Sequence, residues 1–208
     1  MPFPRPYNNG FEIEDDEWYV EPRWCVHQFL DHLDAIGEPI KGGVLDPACG
    51  GGTIVSVCLE RGIPARGSDY VDRGFRGPFE ARDIFTITEM TDNVITNVPF
   101  SKAEECVRHL ITIVRRRLFM ILPLTFLESQ RRHRGLHREI PIKYYYPCGD
   151  RPSMPPGVDT GIRDRFGAIE QPVNSGGKGP FGWCEYEPGF QSETVIRIMN
   201  PRRRATNV

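Results

Sequence analysis

Alternating apolar and polar segments predict the secondary structure of this chain. Apolar positions at helical spacing between Pro22 and Gly37 predict an amphipathic helix, and a second helix is expected at 53–62. Short apolar runs predict strands at about 43–46, 93–100 and 118–122, with a shorter strand at 65–70. Because strands and helices alternate, we expect a parallel α/β sheet that binds ligands at the carboxyl ends of its strands.

The last third of the chain has a different pattern. Strands are predicted at 142–146, 181–186 and 194–199, and the Gly/Pro-rich stretch 147–180 is longer than an ordinary connection. We interpret 17–200 as one domain, with 147–180 as a long loop and a candidate for target recognition. Residues 1–16 are expected to form a flexible acidic arm and 201–208 a basic tail.

Composition narrows the class of protein only a little. The chain has 208 residues, 39% of them hydrophobic and 26% charged, as in an ordinary globular enzyme. Its net charge of -2 combines an acidic start with several arginine clusters, and it neither supports nor excludes nucleic acid. The six cysteines lack metal spacing, and no apolar run has membrane-spanning length, so we expect reduced thiols, no metal and an intracellular location.

A glycine-rich turn follows the first strand, at Asp46-Pro47-Ala48-Cys49-Gly50-Gly51-Gly52. Small residues let a ligand approach the backbone, and the next helix begins with unpaired N–H groups. A phosphate loop would need Gly-Lys-Ser/Thr, and Val55 occupies the third glycine position of the dinucleotide fingerprint. These mismatches leave S-adenosylmethionine, which has no phosphate, as the expected cofactor.

Two acidic residues downstream have positions that suit this cofactor. Asp69 ends the second strand about twenty residues later, where an acid can bind ribose hydroxyls; the alternative is a solvated turn aspartate. Asp83 could accept from the adenine amino group while Ile84 packs against the ring. Its alternative role is an N-cap, and the two roles are compatible.

The tetrapeptide Asn97-Val98-Pro99-Phe100 resembles the fourth motif of the amino-group (N6-adenine or N4-cytosine) DNA methyltransferases, which is Asn/Asp/Ser-Pro-Pro-Tyr/Phe. The glycine turn resembles their first motif, Asp69 the second and Asp83 the third. The segment 18–22, with Tyr19 and Pro22, looks like the motif that precedes the glycine turn, although Glu21 replaces the usual threonine. The likeness is strongest to small phage or prophage adenine methyltransferases and covers about 17–190.

This resemblance implies a Rossmann-like class I fold, with a mostly parallel seven-stranded sheet and an antiparallel terminal hairpin. It also implies methyl transfer to adenine N6 in DNA, without a metal or a covalent intermediate. Asn97 and a carbonyl near Val98 or Pro99 would accept the two amine hydrogens, and Phe100 would stack on the base. Val98 departs from the family's proline, and Asn-x-Pro-Phe outside this motif order is usually a plain strand exit.

To reach a base in duplex DNA, the protein would have to flip the base out of the stack, and Phe100 and Trp183 are candidates to stack on it. The alternative for Trp183 is a core residue. Phosphate contacts are expected from the basic run Arg131, Arg132, Arg134 and Arg138, for which a solvated helix end is the alternative. Other open functions are methylation of cytosine N4, RNA or a protein glutamine, and a non-catalytic DNA-binding remnant or partner subunit. The expected location is the cytoplasm of a bacterial or phage-infected cell.

Overall fold

The computed structural model of the chain describes residues 17–172, 177 and 179–200. The predicted arm 1–16, the predicted tail 201–208 and five positions of the 147–180 loop lie outside these residues. The helices are α1 (Arg23–Ala35), α2 (Thr53–Glu60), α3 (Ala103–Leu110), α4 (Gln130–Arg134) and α5 (Leu136–Glu139). The strands are β1 (Val44–Asp46), β2 (Ala65–Asp69), β3 (Phe79–Ala81), β4 (Thr91–Thr96), β5 (Val114–Pro123), β6 (Tyr144–Pro147), β7 (Phe181–Tyr186) and β8 (Val195–Ile196).

All eight strands form one sheet in the order β3-β2-β1-β4-β5-β7-β6-β8. β7 runs antiparallel to both β5 and β6, and the other pairs are parallel. This arrangement confirms the predicted fold class. The described sheet has one strand more than the expected seven, because the short β8 pairs with β6 at the edge.

β5 lies in the middle of the sheet and is covered on both faces. Leu118, Met120 and Leu122 belong to the apolar cluster under α3, whereas Phe119 and Ile121 belong to the cluster under α1 and α2. This alternation follows from the two-residue period of a strand, and burial on both faces explains the continuous apolar run. The strand begins at Val114.

The aromatic residues of β7 are core residues. Trp183 and Tyr186 are fully buried, Phe181 is nearly so, and the Trp183 ring stacks on Phe29 with centroids 4.6 Å apart. The prediction that Trp183 offers a surface to a flipped base was therefore wrong, and the core interpretation is confirmed. Among the described helices, none combines the length and apolar character required to cross a membrane.

Candidate active site

A cavity of about 420 Å³ opens where β1, β2 and β4 end, a size typical of small-ligand sites. Of the residues predicted to bind cofactor or to act in catalysis, the following line it: Tyr19, Ala48, Gly50, Asp69, Asp83, Ile84, Asn97 and Pro99. The other predicted residues are not among its lining: Pro22, Asp46, Gly52, Val98 and Phe100. The fold thus brings four separate motifs to one edge of the sheet.

The glycine turn is held by Asp69. One carboxylate oxygen of Asp69 accepts from the N–H of Gly50 at 2.8 Å, and the other accepts from Val71 at 3.0 Å. Burial raises the pKa of Asp69. Asp69 therefore orders the turn from the end of β2 while its side chain faces the cavity, and it is not a freely solvated turn residue.

Two positions of this turn require glycine, because a Cβ there would collide with a neighbouring side chain and because the backbone φ is positive. Gly50 and Gly52 have φ values of 49° and 89°, in the left-handed region that favours glycine. A Cβ at Gly50 would overlap the indole of Trp18, and one at Gly52 would overlap the ring of Phe75. Gly52 packs against Phe75 and does not line the cavity, so its role is in the conformation of the turn.

Trp18 and Arg73 also line the cavity. Trp18 belongs to the 18–22 segment of the resemblance but was not named as a site residue, and Arg73 was not predicted. The Arg73 guanidinium lies 4.9 Å from the centre of the Trp18 ring. The indole Nε1 of Trp18 is buried and has no hydrogen-bond partner among the described residues.

Asp46 and Pro22 support the cavity from behind its lining. Asp46 is 1% exposed, and a carboxylate oxygen accepts from the N–H of Ala48 at 3.3 Å. Burial raises the pKa of Asp46, and the nearby charge of Glu21 adds to this effect. Pro22 is the N-cap residue of α1.

Asp83 begins a 3-10 turn, Ile84–Thr86, and accepts from the N–H of Phe85 at 2.8 Å. The predicted capping role is thereby confirmed. The cavity is also lined by Asp83, Ile84 and Phe85. The capping role is therefore compatible with the predicted contact between Asp83, Ile84 and the ring of a ligand.

Asn97 has a fixed orientation. Its Nδ2 donates to the carbonyl of Tyr19 at 2.9 Å and to Oε2 of Glu21 at 2.9 Å. Because a main-chain carbonyl and a carboxylate oxygen accept these bonds, the amide nitrogen must point towards them. Oδ1 of Asn97 is consequently turned away from Tyr19 and Glu21.

Glu21 is a buried carboxyl beside this asparagine. It is 7% exposed, and burial raises its pKa from 4.5 to about 7, although the hydrogen bond from Asn97 opposes the shift. The sequence indicated Glu21 only as a departure from the family's threonine. Its contact with Asn97 joins residues 76 positions apart.

The three residues after Asn97 are placed by packing. Val98 is buried in the apolar cluster under α3, and the carbonyl of Pro99 accepts from the N–H of Lys102 at 3.0 Å. The Phe100 ring lies parallel to that of Tyr19, with centroids 6.3 Å apart, and 5.7 Å from Phe181. This part of the motif therefore forms a compact turn beside the cavity.

The described part of the 147–180 loop crosses the same edge of the sheet. Pro155 accepts from the N–H of Val20 at 3.0 Å, and Gly157 donates to the carbonyl of Trp18 at 2.8 Å. The N–H of Ile169 donates to the carbonyl of Gly51 at 2.8 Å. The loop thus holds both the 17–21 segment and the glycine turn; target recognition by it stays a prediction.

The four predicted DNA-binding arginines have different environments. Arg132 donates to the carbonyls of Thr125, Phe126 and Glu128, so its guanidinium closes a turn of the chain. Arg131 is exposed and pairs with Glu104 at 2.7 Å. Arg134 and Arg138 are also exposed. In the described part of the chain, no group of His, Cys, Asp and Glu could hold a metal ion.

The fold is that of the Rossmann-like class I methyltransferases. The magnesium protoporphyrin IX methyltransferase of Synechocystis PCC 6803, solved with bound SAM, is 16% identical, with a TM-score of 0.54 over 80% of this chain and 79% of that one. A "putative RNA methyltransferase" from Pyrococcus horikoshii is 13% identical, with a TM-score of 0.57 over 83% and 88%. The "modification subunit of a putative type I restriction enzyme" from Vibrio vulnificus YJ016 is 12% identical, with a TM-score of 0.53 over 88% and 47%.

At these identities the likeness concerns the fold. No protein-family model matches the sequence, and no curated protein matches it.

Proposed function

We propose that this chain binds S-adenosylmethionine in the cavity and transfers its methyl group to the N6 amino group of adenine in DNA. The observation that carries the proposal is the oriented amide of Asn97, which lies on the cavity wall together with the glycine turn. An isolated strand exit would not need an asparagine whose amide nitrogen is held by two acceptors.

The cavity suits this cofactor chemically. Asp69 can accept from the ribose hydroxyls, and Asp83 with Ile84 can contact the adenine ring. Arg73 also lines the cavity, and its positive charge can attract the cofactor carboxylate. When bound, the cofactor supplies an electrophilic methyl group on a sulfonium.

The protein's task is to make the amine nucleophilic. The lone pair of an adenine amino group is delocalised into the ring, and acceptors for both N–H hydrogens favour the pyramidal form that attacks. Oδ1 of Asn97 is one acceptor. The Val98 carbonyl is the better second acceptor, because that of Pro99 already accepts from Lys102.

The substrate side of the proposal rests on charged and aromatic residues. Exposed Arg131, Arg134 and Arg138 can contact phosphates, and Phe100 can stack on a base released from the duplex. One structural neighbour is named as a modification subunit of a restriction enzyme, which agrees with a DNA substrate.

The test is methyl transfer from labelled S-adenosylmethionine to long, unmethylated duplex DNA, which contains any short recognition site. Nucleoside mass analysis should find 6-methyladenine with the wild-type protein and none with Asn97→Ala. Cofactor affinity, measured by calorimetry, should change little in Asn97→Ala, because that variant keeps the glycine turn.

Other outcomes would redirect the proposal. A product of 4-methylcytosine, or label in RNA or in a protein glutamine, would refute adenine N6 in DNA while keeping the methyltransferase. DNA binding with a steep salt dependence but no cofactor binding would indicate a non-catalytic remnant or partner subunit, and would refute the enzyme itself.

A further inference from the structure

Glu21 is not explained by any of the motifs. It lies in the segment before α1, at a position where the related motif has threonine, yet its carboxyl is buried at the catalytic edge of the sheet. Buried carboxyls are rare unless they are bound to a partner, and its recorded side-chain partner is Asn97.

Nδ2 of Asn97 has two oxygen acceptors, which differ in kind, and the sulfur of Met154 lies 3.9 Å from it. The Tyr19 carbonyl belongs to a backbone that is fixed by the bridge between Tyr19 and Pro156. The second acceptor is the Glu21 side chain. Rotation of an asparagine amide is a soft motion with broad minima, so one acceptor orients it less firmly than two.

We propose that Glu21 is a positioning residue: by accepting from Nδ2, it keeps Oδ1 of Asn97 directed at the substrate amine. This inference rests on the proposed function. A carboxylate can only accept, whereas the hydroxyl of the usual threonine can donate or accept. Glu21 thus selects one orientation of the amide.

The charge state of Glu21 matters for this role. The ionisable groups that face it are Asp46 at the end of β1, Cys49 in the glycine turn and Cys25 on α1. None of them supplies a positive charge. A protonated Glu21 can donate a hydrogen bond to Oδ1 of Asn97 and so favour the orientation in which Oδ1 and Nδ2 are exchanged. Methyl transfer should therefore slow below neutral pH.

The test exchanges donor and acceptor. Asn97→Asp places two carboxyls in contact, and we expect it to lower kcat by about a hundredfold or more, because like charges repel and Oδ1 is no longer directed. Adding Glu21→Gln to it restores a hydrogen bond of opposite polarity. The double variant should regain at least about tenfold in kcat over Asn97→Asp.

Two further variants separate positioning from folding. Glu21→Leu should lower kcat by about ten- to a hundredfold with a nearly unchanged cofactor Kd. Glu21→Gln alone, whose amide can accept or donate, should lower kcat less than Glu21→Leu does and should lose the acid limb of the pH profile. A folded Glu21→Leu with wild-type kcat, or a double variant no better than Asn97→Asp, would overturn the role.

Failure of the proposed function would look different. A wild-type protein that binds the cofactor but methylates no adenine refutes the methyl transfer to adenine and, with it, the catalytic purpose of Glu21. Urea unfolding of the wild type, Asn97→Asp, Glu21→Gln and the double variant would still test the hydrogen bond. A positive coupling between the two sites would support the orientation of the amide, and additive effects would overturn it.

Discussion

Replacing Glu21 with glutamine should remove a specific pH dependence of stability. The carboxyl has a pKa near 7 in the folded protein and about 4.5 when it is exposed. The native state therefore holds a proton that the unfolded chain releases between these values. The stabilisation is fully present below pH 4.5 and is lost as the pH rises through 7.

The structure sets the size of this effect. Glu21 is 7% exposed, so screening by solvent reduces the effect of its pKa shift on stability only slightly. A tenfold change in proton affinity corresponds to about 1.4 kcal/mol, and the rise from 4.5 to about 7 therefore amounts to roughly 3 kcal/mol. Buried Asp46 and half-buried Asp69 also have raised pKa values and act in the same direction, so the difference between the wild type and Glu21→Gln reports Glu21 together with its effect on Asp46.

The assay is urea unfolding of the wild type and of Glu21→Gln at several pH values from 4.5 to 8. The free energy of unfolding of the wild type, relative to the variant, should fall by about 3 kcal/mol across this range. Exposed Glu193 provides the control, since Glu193→Gln should follow the wild type at every pH. A constant difference between wild type and Glu21→Gln would refute the reasoning.

Two more substitutions test the roles of individual residues. Arg132→Ala should lower the free energy of unfolding by about 2 kcal/mol, because three carbonyls lose their donor, and equal stabilities of Arg132→Ala and Arg134→Ala in urea would contradict this. Exposed Arg134→Ala should change the stability by no more than about 0.5 kcal/mol and should lower the salt slope of DNA binding by about 0.9. Arg116→Ala, which removes the same charge elsewhere, is the control. Gly52→Ala should lower the free energy of unfolding by roughly 1–3 kcal/mol, since its Cβ would collide with Phe75 at a position with positive φ. It should also weaken cofactor binding in calorimetry. Unchanged stability and affinity would contradict this prediction.

The sequence predicted those parts of the fold that have local causes. The apolar run of β5 and the glycine turn each follow from a few consecutive residues. Boundaries were less accurate. The exposed Arg115 and Arg116 continue β5 outwards, because pairing with β4 extends it beyond its apolar part.

The candidate site was predicted as a set of motifs but not as a set of contacts. Trp18 lies over Gly50, and Ile169 binds Gly51 from a loop more than a hundred residues away. The hydrogen bond between Glu21 and Asn97 also joins residues that are far apart in sequence, at 76 positions. No periodicity or spacing encodes such contacts, since they depend on how the 17–21 segment and the loop pack on the finished sheet.

Val98 shows how a departure from a family motif can be compensated. Proline would stiffen this position through its ring, whereas Val98 is fixed by burial in the cluster under α3. We therefore expect Val98→Ala to cost about 2 kcal/mol in stability, and also to slow methyl transfer because the Val98 carbonyl is held less firmly. Val107→Ala, in the same cluster, is the control. It should cost a similar stability and leave the rate unchanged; equal rates for both variants would mean that burial of Val98 serves the core and not the site.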